Sequence, residues 1–312
     1  MSNTRISVIG AGLMGHGIAE IFAAAGHPVA LHDSFAQVLE SAPGRIAAIF
    51  DLLGQDRAGL KNVTYHASFE EAVAQADFVF EAAPEKPELK REIFERLGRA
   101  APAKAVLATN TSAIPIHRVG ERVADKSRVI GTHFWNPPHL VPLVEVVQSE
   151  ATSLDVVQRT MKLFEDVGMS PVHVKRDIPG FIGNRLQHAL KREAIALVAN
   201  GVCDAETVDR VVKEGFGARL AVLGPLEQSD LVGLNLTLDI HRTLIKDLDH
   251  SQGPNPFLEA KVAAGELGMS TGQGFRKWTP EEAAALRKRL NEHLVAAARA
   301  RVARKTAARD NK

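Results

Sequence analysis

Two side chains set the chemical question. His133 closes an apolar run, and Glu145 stands 12 residues further on inside LVPLVEVV. An ionised carboxylate among apolar neighbours costs several kcal/mol unless it is paired and hydrogen-bonded, so Glu145 asks for a partner. An imidazole supplies one. The carboxylate would fix the tautomer of His133 and stabilise its protonated form, which suits His133 to act as a general base. Taken singly, each has an ordinary reading, since the chain has 12 His and strands often carry an outward-facing Glu. Ser112 in TNTS and Asn184 in GFIGN could donate hydrogen bonds to a substrate hydroxyl or a cofactor amide from two sides; alone, either would serve as a helix cap or turn residue. No H-x-x-x-H or Cys/His spacing joins His117 and His139 into a metal site, Cys203 is the single cysteine, and Ser112 lacks a G-x-S-x-G elbow. Neither a metal nor a serine hydrolase is expected.

These residues need a frame, and the N-terminus supplies one. Arg5 to Gly10 reads RISVIG, a short β-branched run; GAGLMG follows at once, with Gly10, Gly12 and Gly15 in the G-x-G-x-x-G spacing and Leu13 and Met14 between them. Ile18, Ala19, Ile21, Phe22 and Ala25 then recur at helical intervals. Strand, glycine turn and helix stand in the order of a dinucleotide cradle: Gly10 allows the tight turn, Gly12 lets a pyrophosphate approach the backbone, Gly15 lets helix and strand pack closely, and the helix N-terminus offers N–H groups to phosphate. The second strand, PVALHD, ends at Asp33, 18 residues after Gly15. A carboxylate there accepts from ribose hydroxyls and repels a 2′-phosphate, and Ser34, Phe35 and Ala36 offer no Arg to welcome one, so NAD is favoured over NADP. Asp33 as a simple helix cap, and flavin in place of NAD, are the alternatives that the fingerprint leaves open.

Further strands are expected at 63–66, 77–81, 105–108 and 128–131, alternating with helices such as 87–97, which points to a parallel sheet covered on both faces. Breakers at Pro43, Gly44, Gly54 and Gly59 divide the stretch 35–60 into one or two short helices. An apolar run fills 140–147, a helix 154–167 and a strand 172–175; from Pro179 on the pattern turns helical, with runs over 181–199, 204–214, 226–248 and 256–264. The fold class is therefore α/β, a doubly wound Rossmann-type sheet followed by an all-α domain, divided as 1–178, 179–280 and a basic C-terminal segment 281–312. With 38 basic and 37 acidic residues the net charge is +1, which argues against nucleic acid as a partner. The tail holds nine basic and four acidic residues, so it carries +5 against −4 for the remainder, and it reads as a solvated amphipathic helix. No run reaches the ~18 apolar residues of a membrane span, and a cytoplasmic protein acting on a small molecule is expected, without nucleic acid or membrane as partner.

GAGLMGHGIA, EAAPEKPELK, TNTS, HFWNPPHLVPLVEVV and DIPGFIGNRL, in that order, resemble the L-3-hydroxyacyl-CoA dehydrogenase family over nearly the whole chain. The resemblance implies NAD, a homodimer built through the helical domain, and transfer of hydride from a CH–OH carbon. It implies His133 as base, Glu145 as its orienting partner, Ser112 and Asn184 against substrate and nicotinamide, and Glu85, Lys90 and Asn110 on the cofactor side. NPPHLVPLVE and GFGARLAVLGPLE are closer to the branch with lambda-crystallin, L-gulonate 3-dehydrogenase and the pyridine-carboxylate dehydrogenase, which acts on free hydroxy acids or hydroxymethyl and aldehyde groups rather than thioesters. The expected substrate is a 3-hydroxyacyl-CoA or a small 3-hydroxy acid. A hydroxymethyl or aldehyde substrate, or a non-catalytic NAD-binding relative, is the alternative. Arg45, Arg57 and Lys61 are the cations on hand in 35–61 for CoA phosphates.

Overall fold

The computed structural model of the chain describes residues 4–310, and side chains as far as residue 302. In chain order the elements are β1 (Ile6–Ile9), α1 (Gly15–Ala24), β2 (Val29–His32), α2 (Ala36–Leu53), β3 (Val63–His66), α3 (Phe69–Val73), β4 (Phe78–Glu81), α4 (Pro87–Ala100), β5 (Val106–Thr109), α5 (Ile116–Val119), β6 (Val129–Phe134), β7 (Leu143–Val147), α6 (Leu154–Val167) and β8 (Ser170–Val174). There follow α7 (Gly183–Ala199), α8 (Ala205–Glu214), α9 (Pro225–Val232), α10 (Leu234–Leu244), α11 (Pro256–Ala263) and α12 (Pro280–Asp310).

The eight strands form one sheet in the order β3-β2-β1-β4-β5-β6-β7-β8. The first six run parallel, and the strand order reverses between β1 and β4, where a doubly wound sheet opens its ligand crevice. Successive residues point to opposite faces: Val8 and Phe80 enter one core with Phe22, Phe50 and Phe164, while Ile9 and Val79 enter the other with Phe94 and Leu97. The family of parallel strands stops at β6. β7 runs antiparallel to it, because the eight residues 135–142 are too few for the crossover of a dozen or more that a parallel partner requires. That reversal matters for the chemistry, since it sets His133 directly opposite Glu145 in the ladder.

Three local expectations change. Pro43 does not divide the helix over 36–53: it lies on the exposed side, and burial of Ala42, Ile46, Ile49, Phe50 and Leu53 holds the helix across the missing N–H bond. The run 226–248 does break, at Gly233 with φ +97°, into α9 and α10. The C-terminal helix is not simply solvated. Val295 and Ala298 are buried against Ile49, Leu53 and Leu140, and the Arg299 guanidinium donates to the carbonyl of Leu52 at 2.8 Å, one of the orphan carbonyls at the end of α2. Small apolar residues at helical spacing make a stripe that the charge count hides. Residues 311 and 312 of that tail, and its side chains from 303 on, lie outside the described residues.

Among the described residues, contacts divide the chain into two compact units, one of residues 4–184 with 290–310, the other of residues 185–289. The second is helical and leaves many large apolar side chains exposed, among them Val222 at 89%, Leu226 at 78% and Leu231 at 73%. Among the described residues no helix is long and apolar enough to cross a membrane.

Candidate active site

The glycine turn lies at the strand-order reversal. Gly10, φ +100°, closes against β4: a Cβ there would sit 2.8 Å from the Ala82 carbonyl oxygen. At Gly15 a Cβ would fall 1.6 Å from the Gly10 carbonyl oxygen, so helix and turn leave no room for one. Gly12 differs, because a Cβ on it would meet no protein atom within 4 Å. The protein itself needs Gly10 and Gly15, whereas the bareness of Gly12 leaves space for a ligand. Leu13 is exposed beside it, Met14 packs on the core, and α1 carries no side-chain cap at its N-terminus. Asp33 follows β2 and accepts from the Ala11 N–H at 2.7 Å and the Phe35 N–H at 2.9 Å. Open space at Gly12, an uncapped helix and a carboxylate fixed beside the turn together fit a dinucleotide. Arg45 of α2 completes the turn by donating to the carbonyls of Ala11 and Val38, both at 2.8 Å.

Beyond β4 and β5 lies a second polar cluster. Glu81, fully buried, accepts from the Lys90 ammonium at 2.7 Å and the Ala83 N–H at 2.6 Å through one oxygen, and from the Thr109 hydroxyl at 2.7 Å through the other. Lys90 is itself fully buried, donates also to the Ala83 carbonyl at 3.2 Å, and stands 3.5 Å from Glu85. It lies beneath the surface, within this cluster. Glu85 gathers the turn after β5: one oxygen accepts from the Thr111 hydroxyl at 2.5 Å, the Ser112 N–H at 2.9 Å and the Ala113 N–H at 3.1 Å. Burial pushes the Glu85 carboxyl up; the Thr111 hydroxyl, the Lys90 charge and the two N–H groups outweigh it, leaving the group below the usual carboxylate range. Asn110 accepts from the Phe134 N–H at 2.9 Å and so ties the end of β5 to β6. Asn184 donates to the Ser112 carbonyl at 3.3 Å, which brings these two together.

The His133 Nδ1 stands 2.8 Å from Glu145 Oε2, with His133 at 5% and Glu145 at 1% exposure. The other Glu145 oxygen accepts from the N–H groups of Ile182 at 2.9 Å and Gly183 at 3.0 Å. Burial pushes the Glu145 carboxyl up, and the hydrogen bonds from His133, Gly183 and Ile182 together bring it below its ordinary range. An ionised carboxylate on Nδ1 assigns the proton to that nitrogen and leaves Nε2 as an acceptor. Trp135 and Phe181 stand against the ring, with centroids 5.7 and 5.6 Å away. A buried imidazole with one acceptor nitrogen open and a fixed anion behind it can take a proton from a hydroxyl group.

The arrangement has known counterparts. Residues 5–178 match the family model for the 3-hydroxyacyl-CoA dehydrogenase NAD binding domain, and residues 180–278 that for the 3-hydroxyacyl-CoA dehydrogenase C-terminal domain. The chain belongs to the 3-hydroxyacyl-CoA dehydrogenase family. It is an NAD-dependent dehydrogenase acting on a hydroxyl group. Among its relatives, 5-formyl-3-hydroxy-2-methylpyridine 4-carboxylate 5-dehydrogenase of Mesorhizobium japonicum is 33% identical over 95% of this chain and 97% of its own. L-carnitine dehydrogenase of Streptomyces griseus is 39% identical over 73% and 70%. In crystal structures, the pyridine-carboxylate enzyme, described as an NAD+-dependent dismutase, superposes with a TM-score of 0.88 at 33% identity, covering 95% of this chain and 98% of that one. (S)-3-hydroxybutyryl-CoA dehydrogenase of Ralstonia eutropha reaches 0.75 at 28% identity, covering 89% and 100%.

Sequence reasoning missed Glu81, Arg45 as a brace for the glycine turn, and the two N–H groups on Glu145. Glu81 carried the same signal as Glu145, an acid set among apolar neighbours. The N–H pair had none, because it depends on a backbone angle.

Proposed function

We propose that this dehydrogenase oxidises a small hydroxy acid to the corresponding oxo acid, with His133 taking the hydroxyl proton on Nε2 and Glu145 holding the ring. Bound NAD supplies the hydride acceptor. The buried His133–Glu145 pair carries the reading, because a protein that only bound the cofactor would have no use for a fixed imidazole–carboxylate pair with an acceptor nitrogen open. In it Gly10, Gly12, Leu13, Met14, Gly15 and Asp33 hold the adenosine and pyrophosphate side, while Glu85, Lys90 and Asn110 shape the nicotinamide side and Ser112 and Asn184 orient substrate. Residues 1–178 hold cofactor and base; 179–280 form the subunit contact of a homodimer, supported by the apolar side chains exposed in that unit.

Two observations favour a free acid, or a hydroxymethyl or aldehyde group on a carboxylate-bearing ring, over a CoA thioester. The superposition on the pyridine-carboxylate enzyme, at 0.88, exceeds that on the hydroxybutyryl-CoA enzyme, at 0.75. Arg45 is engaged by two carbonyls and Arg57 is paired with Asp51 at 2.7 Å, so two of the three cations at hand for CoA phosphates are committed. The experiment is NADH formation across a matched panel: L-carnitine, L-gulonate, a hydroxymethyl- and a formyl-pyridine carboxylate, and 3-hydroxybutyryl-CoA. Turnover of a free acid with NAD, lost in His133→Asn while NAD still binds, is the expected result. Preference for the thioester overturns the substrate assignment, and undiminished turnover in His133→Asn overturns the mechanism.

A further inference from the structure

Phe181 is the one non-glycine residue with positive φ, +50°, among the described residues. A side chain in the left-handed region crowds the following backbone, and a bulky one occupies it only where its surroundings impose it. Such angles collect at functional sites, and here the observation comes first and the role second.

What surrounds Phe181 explains how the angle is held. The chain leaves β8 and turns at 178–181, where the Phe181 N–H donates to the Ile178 carbonyl at 3.1 Å, with Pro179 in the second position and Gly180, φ +76°, in the third. The Phe181 ring is then buried to 1% exposure in the core beneath the sheet. Its backbone sends the next two N–H groups, of Ile182 and Gly183, onto the same oxygen of Glu145. Gly183 must stay bare, because a Cβ there would lie 2.4 Å from the Trp135 ring. Two successive N–H groups converging on one anion make a small concavity of positive potential.

We propose that Phe181 is a positioning residue: burial of its ring holds a left-handed backbone that aims the Ile182 and Gly183 N–H groups at Glu145 and so fixes the carboxylate behind His133. The proposal rests on the reading of His133 as the base. His133 on β6 is the one titratable group paired with Glu145 among the described residues; from β8 the register sets Val172 beside it, and from the turn come Phe181, Ile182 and Gly183. The N–H pair stabilises the net negative form of the His–Glu pair more than the form that has taken up one proton, because its potential acts on uncompensated charge. Removing it therefore lets the pair take up that proton at higher pH.

Three variants separate this role from packing. Phe181→Ala and Phe181→Gly both remove the ring, yet only glycine keeps φ near +50° without crowding. Ile182→Pro, at an exposed side chain, removes one N–H outright and disfavours the helical regions at residue 181. The readouts are the titration midpoint of the His133 ring followed by NMR in the full chain, identified by its loss in His133→Asn, and the acid limb of kcat/KM for alcohol oxidation. Both are expected to move up by about one pH unit in Phe181→Ala and Ile182→Pro and to stay within about 0.3 in Phe181→Gly, the scale of losing a hydrogen bond to a carboxylate. Coincident titrations of the alanine and glycine variants, or a wild-type midpoint in Ile182→Pro, would overturn the proposal. Should Phe181→Ala fail to fold, the proline variant decides alone. The NMR titration needs no substrate, so shifted midpoints with no turnover of any hydroxy acid would sink the catalytic reading and leave the positioning role standing.

Discussion

Glu145→Gln tests the proposed catalytic pair with the least change of shape. Two N–H groups converge on Glu145 Oε1 at 2.9 and 3.0 Å, and that geometry decides which way a glutamine amide must lie. Its oxygen stays on the Ile182 and Gly183 N–H groups, because turning the NH2 toward them would set donors against donors. The NH2 then faces His133 Nδ1, where Oε2 stood at 2.8 Å, and donates to it. Nδ1 becomes the acceptor, the proton moves to Nε2, and the nitrogen that should receive the substrate proton already carries one. The fold is retained, since the two N–H groups keep their acceptor. General-base catalysis contributes about 10²–10⁴-fold, so kcat should fall by that factor, equivalent to about 3–5 kcal/mol of transition-state stabilisation at 1.36 kcal/mol per decade. The assay is initial-rate NADH formation on the best substrate of the panel, with NAD affinity measured separately by fluorescence and expected to stay within about twofold, as for a residue that touches the base and not the cofactor. A kcat within about threefold of wild type would refute the reasoning, because it would mean that the tautomer of His133 does not limit the reaction.

Gly12→Ala should leave the melting temperature within about 2 °C of wild type, as expected where the new methyl meets no protein atom, yet weaken NAD binding at least about tenfold by standing where the pyrophosphate must approach; Gly15→Ala, whose Cβ would overlap a backbone carbonyl, should instead cost about 1–3 kcal/mol in denaturant unfolding. Glu81→Gln strands the fully buried Lys90 ammonium with only Glu85, 3.5 Å away, as counter-charge; a loss of about 3 kcal/mol is expected, the lower end for a broken buried pair, and less than about 1 would show the pair to be dispensable. Burial pushes the Glu20 carboxyl up to about 8, against a weaker opposing hydrogen bond from Gln55. A carboxyl raised in the folded state takes up a proton on folding, so its penalty is absent below the unfolded midpoint, grows by at most about 1.4 kcal/mol per pH unit, and levels off above about pH 8. Glu20→Gln should therefore flatten the fall of stability between those limits; an unchanged slope in urea unfolding from pH 5 to about 8 would contradict the burial of a neutral acid.

Acids embedded in apolar runs show what a sequence can and cannot disclose here. The glycine turn with its flanking strands and helix, and the position of Asp33 after the second strand, were legible because the pattern is local: spacing of 18 residues and a two-strand unit suffice. Strand β3 and helix α6 likewise lie where periodicity puts them. The direction of β7, the burial of α12 and the angle at Phe181 were not legible, since each is decided by what the chain meets far along its length. Glu20, Glu81 and Glu145 make the distinction sharp. All three stand in apolar surroundings in the sequence and all are at or below 1% exposure in the fold. The physical demand is identical, that a buried charge be compensated or removed. The answers differ. Glu81 is met by Lys90, nine residues on; burial pushes the Glu20 carboxyl up to about 8; Glu145 is brought below its ordinary range by an imidazole from the antiparallel strand and by two N–H groups from a left-handed turn. Only the last arrangement leaves an acceptor nitrogen on the partner, and that is why chemistry is assigned to Glu145 and architecture to the other two. The burial of the acid is written in the sequence, while its use is decided by whichever group the tertiary fold sets opposite.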